Sequence, residues 1–156
     1  MILRCFLKEI IKYNYSEFLP DDILPLKNGH KIIAVFSTFG EREASPVCQK
    51  IEVLKSVPDG IIDRIIVNHR REGSSEDSTE KKVKSLFPEA GLFLSRDIDV
   101  PDMGSEPGKG ADMRRTLYRL NMEESDSDPG KVIVVFLDAD VAPEYFGVHF
   151  VLSLAG

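Results

Sequence analysis

The stretch Val132-Ile-Val-Val-Phe-Leu-Asp-Ala-Asp140 joins an unbroken apolar run to two carboxylates that stand two residues apart. The run is short, rich in β-branched residues and flanked by Gly130 and Pro143, a pattern typical of a strand buried on both faces of a parallel sheet. In an extended segment the side chains at i and i+2 point the same way. We therefore predict that Asp138 and Asp140 project together from the carboxyl end of this strand, where open α/β sheets bind their ligands.

Two carboxylates at such an edge are hard oxygen ligands of the kind that Mg²⁺ and Mn²⁺ prefer. A divalent ion held there can bridge phosphate oxygens and stabilise a departing diphosphate. We predict Asp138 and Asp140 as metal ligands, with Mg²⁺ or Mn²⁺ as the cofactor. The alternative that stays open is an acidic pair that only caps or solvates the turn after the strand.

The rest of the chain alternates between short apolar runs and helical patterns. Strands are predicted at 31–37, 61–67 and 91–95, and helices at 46–56, 76–87 and 111–121. This β-α-β-α order with short links predicts a Rossmann-like α/β fold with a mostly parallel, doubly wound sheet. Before it, residues 1–30 are predicted to form an amphipathic helix over 1–11 and a connector over 18–30, which contains two prolines and a glycine.

Composition excludes several classes of function. The 156 residues suit one domain, and the net charge of −6 with a pI near 5.1 argues against nucleic-acid binding through a broad basic surface. No apolar run is long enough for a signal sequence or a membrane span. The two cysteines, Cys5 and Cys48, lie far apart, which argues against a disulfide scaffold or a zinc site and predicts a cytoplasmic location.

A second motif, Pro107-Gly-Lys-Gly110, precedes the predicted helix at 111–121. Glycines allow the backbone to approach a phosphate closely, and the N-terminus of the next helix offers free N–H groups and a positive dipole end. Gly108, Lys109 and Gly110 are therefore predicted to bind phosphate. An ordinary glycine turn is the other interpretation of the motif.

The turn after the first strand, residues 37–43, is a third candidate. Its position at the carboxyl edge of the sheet suits a nucleotide, with Ser37 at the strand end, Phe39 covering a base and Glu41 accepting a hydrogen bond from it. A simple helix-start loop would look the same. In the polar segment 68–79 we expect a solvated loop, and His69 has no evident carboxylate partner there.

Taken in order, these motifs resemble the nucleotide-binding half of GT-A glycosyltransferases of the family-2 type. The turn with Glu41 stands where that pattern has N-E-E, and the strand ending at Val67 stands where it has V-D-D-G-S. The segment 107–156 is most similar to the glucosyl- and mannosyl-3-phosphoglycerate synthases. Those enzymes share P-G-K-G, an apolar strand into D-[AS]-D, and F-V-x-x-L-x-G, which is residues 150–156 here.

The resemblance implies that residues 31–156 form the nucleotide-sugar-binding half of a GT-A domain, a metal-dependent transferase moving a hexose to a small acceptor with retention of configuration. It places the aspartates of the DxD motif on the metal, Asp138 and Lys109 near the donor phosphates, and Glu41 near the base. It also places Asn68 among the donor-binding residues, where it replaces the first Asp of V-D-D-G-S, a departure that bears on the choice of base. The resemblance assigns no catalytic residue, and it leaves Arg70, Arg71 and Arg114 as candidates to meet an acidic acceptor.

Little of the family's acceptor-binding part follows Asp140 in this sequence. The fold is therefore predicted to be incomplete on its C-terminal side, and either the chain is a fragment or a second copy or partner completes the site. Two alternatives to an active transferase remain open. One is a non-catalytic nucleotide-sugar-binding module. The other is a dehalogenase-type phosphatase, whose DxDx[TV] nucleophile motif is similar to Asp138-Ala-Asp140-Val141.

Overall fold

A computed structural model describes residues 19–155 of the chain. Four parallel strands form one sheet in the order β3-β2-β1-β4, with helices on both faces. The strands are β1 (Lys31–Phe39), β2 (Arg64–Arg70), β3 (Gly91–Leu94) and β4 (Val132–Asp138). The helices are α1 (Pro20–Leu26), α2 (Ala44–Lys55), α3 (Ser78–Leu86), α4 (Lys109–Glu123) and α5 (His149–Ala155). The predicted α/β class and the parallel sheet are confirmed.

The central strand β1 is buried on both faces, as its continuous apolar sequence requires. On one face Ile32, Ala34 and Phe36 pack against the apolar residues of α2 and α3. On the other face Ile33 and Val35 lie in the cluster that includes Leu120 of α4. Alternation along the strand thus divides the core into two layers, and α4 alone among these three helices packs on the second face.

The second strand ends three residues later than predicted. β2 runs to Arg70, whose backbone pairs with that of Phe39, so β1 also extends past residue 37. Asn68 and His69, predicted to lie in a solvated loop, are 1% and 0% exposed. Their polarity argued for a loop, but each side chain has hydrogen-bond partners inside the fold, which lets it be buried in the strand.

The segment 18–30 was predicted to be a connector, and that prediction was wrong for its central part. Residues 20–26 form α1, with Pro20 in the first turn, where its missing N–H is tolerated. Ile23 is 1% exposed and packs with Val57, Ile61 and Leu152. The helix predicted over 1–11 lies outside the described residues.

Two boundaries matter for the cleft at the carboxyl edge of the sheet. α4 begins at Lys109 rather than at Ala111, with Gly108 as its N-cap at φ 116°, in the region that favours glycine. β4 ends at Asp138, so Asp140 lies in the following turn and not in the strand. The sheet therefore fixes the position of Asp138 directly. The position of Asp140 depends on the contacts that hold the turn after β4.

Candidate functional site

A cleft opens at the carboxyl ends of β1, β2 and β4, beside the start of α4. It brings together residues from five separate stretches of sequence, which meet there because parallel strands end at the same edge. The lining residues are Ser37, Thr38, Phe39, Glu43, Arg70, Lys109, Asp112, Asp138, Ala139 and Asp140.

The two aspartates of the apolar strand both line this cleft, as predicted. Asp138 and Asp140 are exposed, while Ala139 between them is 2% exposed and lies in the protein interior. The buried alanine anchors the turn and leaves both carboxylates accessible to solvent. Exposed hard oxygen donors on one cleft wall are chemically suited to a divalent cation.

The glycine-rich segment lies opposite, and its lysine reaches the first aspartate. Lys109 Nζ forms an ion pair with Asp138 Oδ1 across the cleft. The N-terminus of α4 has its first backbone hydrogen bond from Asp112 N–H to Gly108 O, at 2.9 Å. A Cβ added to Gly110 would meet no heavy atom of residues 19–155 within 4 Å. The start of α4 thus offers space, backbone N–H groups and a cation to an anionic ligand.

Arg70 and Phe39 form the third wall. The Arg70 guanidinium lies over the Phe39 ring, 4.4 Å from its centroid, and its Nε is 3.4 Å from Asp112 Oδ2. That Nε is buried, and within the described residues it makes no hydrogen bond of good geometry. A guanidinium stacked on an aromatic ring at the wall of a cleft can bind an anion such as a carboxylate or a phosphate.

Asp112, in the first turn of α4, does not leave an uncompensated negative charge in the cleft. Its carboxylate accepts a hydrogen bond from Ser95 and lies 3.4 Å from Arg70 and 3.6 Å from Arg115. Two guanidinium groups flank this carboxylate, so they largely offset the repulsion that its negative charge would exert on an incoming anion.

Four of the predicted donor-binding residues, Glu41, Asn68, Gly108 and Gly110, are not among the residues that line the cleft. The two glycines lie at the start of α4, on either side of Lys109. Glu41 is exposed in the short 3₁₀ turn after β1, and Glu43, two residues on, faces the cleft instead and accepts a hydrogen bond from Phe39 N–H at 2.7 Å. Asn68 is buried and donates to Asp112 O at 2.8 Å, while its Oδ1 is among the buried oxygens of residues 19–155 without a hydrogen bond. Through this hydrogen bond Asn68 links the end of β2 to the first turn of α4.

A buried polar network next to the cleft was missed by the sequence analysis. His69 Nδ1 lies 2.9 Å from Thr38 Oγ1, and its Nε2 lies 2.8 Å from Asp77 Oδ2. Burial raises the pKa of Asp77, but its hydrogen bonds with His69 and with backbone N–H groups outweigh that and leave the pKa below its ordinary value. The expectation that His69 lacks a carboxylate partner was wrong, because Asp77 caps α3 eight residues further on.

Arg71 belongs to the same network and not to the cleft. It forms a two-pronged pair with Glu80, whose pKa this hydrogen bonding lowers. His69, Asp77 and Glu80 lie close enough to hold a metal in principle. The Glu80 carboxylate already accepts hydrogen bonds from Arg71, and His69 already has partners at both ring nitrogens. His69, Asp77 and Glu80 therefore form a hydrogen-bonded structural network.

Lys50 of α2 was also missed. It is 0% exposed, and its Nζ donates to Ala139 O at 2.5 Å and to Asp138 O at 3.1 Å. Burial lowers the pKa of Lys50, and the nearby carboxylates of Asp140 and Glu43 oppose that shift. No local sequence signal marked this residue, because a lysine in an amphipathic helix usually faces solvent.

No protein-family model and no curated protein matches the sequence. Solved structures do share its fold. Glucosyl-3-phosphoglycerate synthase from Mycobacterium tuberculosis, in complex with Mn²⁺, UDP and phosphoglyceric acid, is 22% identical with a TM-score of 0.59 over 86% of this chain and 40% of that one. Mannosyl-3-phosphoglycerate synthase from Rubrobacter xylanophilus is 26% identical with a TM-score of 0.61 over 82% of this chain and 37% of that one.

These similarities confirm the predicted GT-A-type fold. The two matched structures belong to the same enzymes that the sequence motifs in residues 107–156 resemble. The chain spans about two-fifths of the length of the solved structures it matches. In the part of the chain that is described, every helix is too short or too polar to cross a bilayer.

Proposed function

We propose that this chain is the donor-binding part of a metal-dependent glycosyltransferase, which moves a hexose from a nucleotide-diphosphate sugar to a small acidic acceptor. One observation carries the proposal: on a GT-A-type sheet, two exposed carboxylates, a lysine and the N-terminus of α4 converge on a single cleft. Each group is of the type that diphosphate binding requires.

In this proposal Asp138 and Asp140 hold Mg²⁺ or Mn²⁺, which when bound would neutralise the diphosphate and make it a better leaving group. Lys109 and the first N–H groups of α4 bind phosphate oxygens. Gly108 and Gly110 allow the close approach of those oxygens to the backbone, because neither carries a side chain there.

The nucleoside end lies along the end of β1. Ser37 Oγ is buried and makes no hydrogen bond within residues 19–155, so it has donor and acceptor capacity for a ligand. Phe39 is 44% exposed and offers an apolar ring edge for a base. Glu41 and Asn68 do not line the cleft, and Glu43 replaces Glu41 as the acidic candidate for a hydrogen bond with the base.

Arg70 is the basic residue that we assign to the acidic acceptor. Among the three arginines considered from the sequence, it lines the cleft, whereas Arg71 is held by Glu80 and Arg114 is exposed on α4. The phosphoglyceric acid bound by the structural neighbour is an acceptor of this class. Binding such an acidic acceptor beside a diphosphate requires a cation between them, which the guanidinium supplies.

A non-catalytic nucleotide-sugar-binding module is the second candidate, because the chain matches only about two-fifths of its structural neighbours. It predicts donor binding without transfer to any acceptor. The phosphatase alternative predicts phosphate release that needs Asp138 and does not depend on a nucleotide sugar.

We further propose a cytoplasmic location, consistent with the buried free thiol of Cys48. We also propose assembly as a homodimer, which size-exclusion chromatography with light scattering would test.

The proposal is tested by thermal shift with UDP, GDP, ADP and their sugars, with and without Mn²⁺. A ligand that binds the native state raises the melting temperature by mass action. We expect a Mn²⁺-dependent shift with one nucleotide family, lost in Asp138→Ala/Asp140→Ala. The matched control is Asp21→Ala/Asp22→Ala, an exposed aspartate pair on α1 far from the cleft. A folded wild type that no nucleotide stabilises would refute donor binding.

A further inference from the structure

Lys50 places a positive charge in the interior, directly behind the turn that carries Asp140. Its side chain is 0% exposed, yet it comes from the middle of α2, among core residues such as Val47 and Ile51. An ammonium group in the interior is costly unless carbonyls or carboxylates surround it. A lysine at such a position therefore needs a specific partner, and the structure identifies that partner as backbone.

Both contacts of Lys50 fall on the two residues that end the strand and begin the turn. Its Nζ is 2.5 Å from Ala139 O and 3.1 Å from Asp138 O. The paired register of β1 and β4 stops at Ser37 and Asp138, so these carbonyls lie where the sheet ladder runs out. Lys50 supplies hydrogen-bond donors at the point where the sheet no longer does.

Further groups surround the Lys50 ammonium besides the two carbonyls. Phe146, which follows the turn, presents its ring 5.7 Å from Nζ and packs against Phe36 at a centroid distance of 5.9 Å. Asp140 and Glu43 add negative charge on the cleft side, which opposes the effect of burial on the lysine pKa. The ammonium is thus held by two carbonyls beside an aromatic ring.

We propose that Lys50 is a positioning residue, whose ammonium fixes the backbone of Asp138 and Ala139 so that the Asp138 and Asp140 carboxylates face the cleft before any ligand arrives. This inference rests on the proposed function in one respect, that the fixed carboxylates serve as a cation site. It goes beyond that function by assigning the preorganisation to a residue that touches neither metal nor substrate. Outer residues of this kind typically change metal affinity about 10–100-fold when they are removed.

The test replaces Lys50 by Met, which keeps the length of the side chain and removes its charge. Leu54→Ala, on the same face of α2 but one turn further from the turn at 138–140, is the control for loss of core packing. Lys50→Arg retains the charge at a different length and is expected to be intermediate, which keeps the test informative if the Met variant does not fold. All are made in the full 156-residue chain.

The first readout is order in the metal-free protein. Backbone ¹⁵N relaxation should show residues 138–141 gaining fast motion in Lys50→Met, while Val135 within β4 stays rigid. Leu54→Ala should leave the turn as rigid as in wild type. If the turn is equally ordered in Lys50→Met, the proposal is wrong, and this holds whether or not the cleft binds metal.

The second readout is the affinity for Mn²⁺ alone, measured from the electron paramagnetic resonance signal of the free ion. We expect Lys50→Met to weaken binding by about tenfold or more, and Leu54→Ala to change it less than twofold. Unchanged affinity in Lys50→Met would overturn the positioning role. Absence of Mn²⁺ binding in wild type would instead refute the metal site of the proposed function, and the relaxation data would then decide the role of Lys50.

Discussion

The Lys109 ammonium and the Asp138 carboxylate, 29 positions apart in sequence, form an ion pair across the cleft. A residue proposed to bind phosphate and a residue proposed to bind metal therefore neutralise each other in the ligand-free protein. Both side chains are about half exposed, so the pair itself adds little to stability. Its consequence is functional, because each ligand competes with one of the two partners.

Lys109→Ala should separate the two halves of the proposed donor site. Removing the ammonium frees Asp138, so the affinity for Mn²⁺ alone should stay equal or increase. The affinity for the nucleoside diphosphate should fall about 10–100-fold, the loss expected for a hydrogen bond to a charged group. Isothermal titration calorimetry measures both, and Lys81→Ala, an exposed lysine on α3, is the control. Parallel weakening of metal and nucleotide binding would contradict the competition.

Arg70→Ala should affect the acceptor more than the donor. The guanidinium stacked on Phe39 is proposed to meet an acidic acceptor, so binding of 3-phosphoglycerate should weaken about tenfold or more, while the affinity for UDP in the presence of Mn²⁺ changes less. The control is Arg114→Ala, which removes an exposed arginine from α4. If acceptor binding persists in Arg70→Ala and UDP binding is lost, the arginine belongs to the donor site.

Gly110→Ala should stabilise the protein and weaken nucleotide binding at once. The residue lies in the first turn of α4 with open space around it, so alanine should raise the free energy of unfolding by up to about 1 kcal/mol through helix propensity. The same methyl group would occupy the path of a phosphate towards the backbone. Melting temperature and UDP affinity should move in opposite directions.

Gly108→Ala is the counterpart of that substitution. Here too no heavy atom of the described residues lies within 4 Å of an added Cβ, but φ is 116°, where an L-residue is strained. We expect a loss of about 1–3 kcal/mol in the free energy of unfolding, measured by urea denaturation. A neutral result would mean that the start of α4 adopts another backbone conformation.

Asp77→Asn should lower stability at neutral pH and lose part of that effect in acid. Because the pKa of Asp77 is below its ordinary value in the folded state, its contribution is complete above about pH 4 and disappears as the pH falls through the lowered pKa. We expect a loss of about 1.5–3 kcal/mol at pH 7, since Asn lacks the charged carboxylate that accepts a hydrogen bond from His69 Nε2.

Melting temperatures between pH 7 and pH 3 check this prediction. The gap between wild type and Asp77→Asn should narrow towards pH 3, while Asp59→Asn, in an exposed turn, should follow the wild-type curve. Glu80, whose pKa is also lowered, keeps part of the acid dependence in the variant. A gap that stays constant with pH would show that Asp77 acts through its neutral hydrogen bonds alone.

Much of the fold could be predicted from the sequence, and the failures have a common cause. The apolar run into Asp138 identified β4, and each predicted strand and helix from residue 31 onward is present with shifted ends. The end of β2 was misplaced because Asn68 and His69 are polar, and local polarity cannot show whether a distant partner will satisfy a buried group. Likewise α1 was not predicted, because its two prolines indicated a connector. The apolar contacts of Ile23 stabilise the helix in the folded protein.

The sequence by itself determined that the sheet is parallel and that Asp138, Asp140 and Lys109 belong to its carboxyl edge, because strand period, glycine position and chain order are local properties. Only the tertiary structure decided which other side chains share that edge. Arg70 and Glu43 enter the cleft while Glu41 and Arg71 turn away, and Lys50 reaches the aspartate turn across 88 positions of sequence. Such contacts depend on how α2 and β2 pack against β1 and β4, and no pattern within a single segment encodes them.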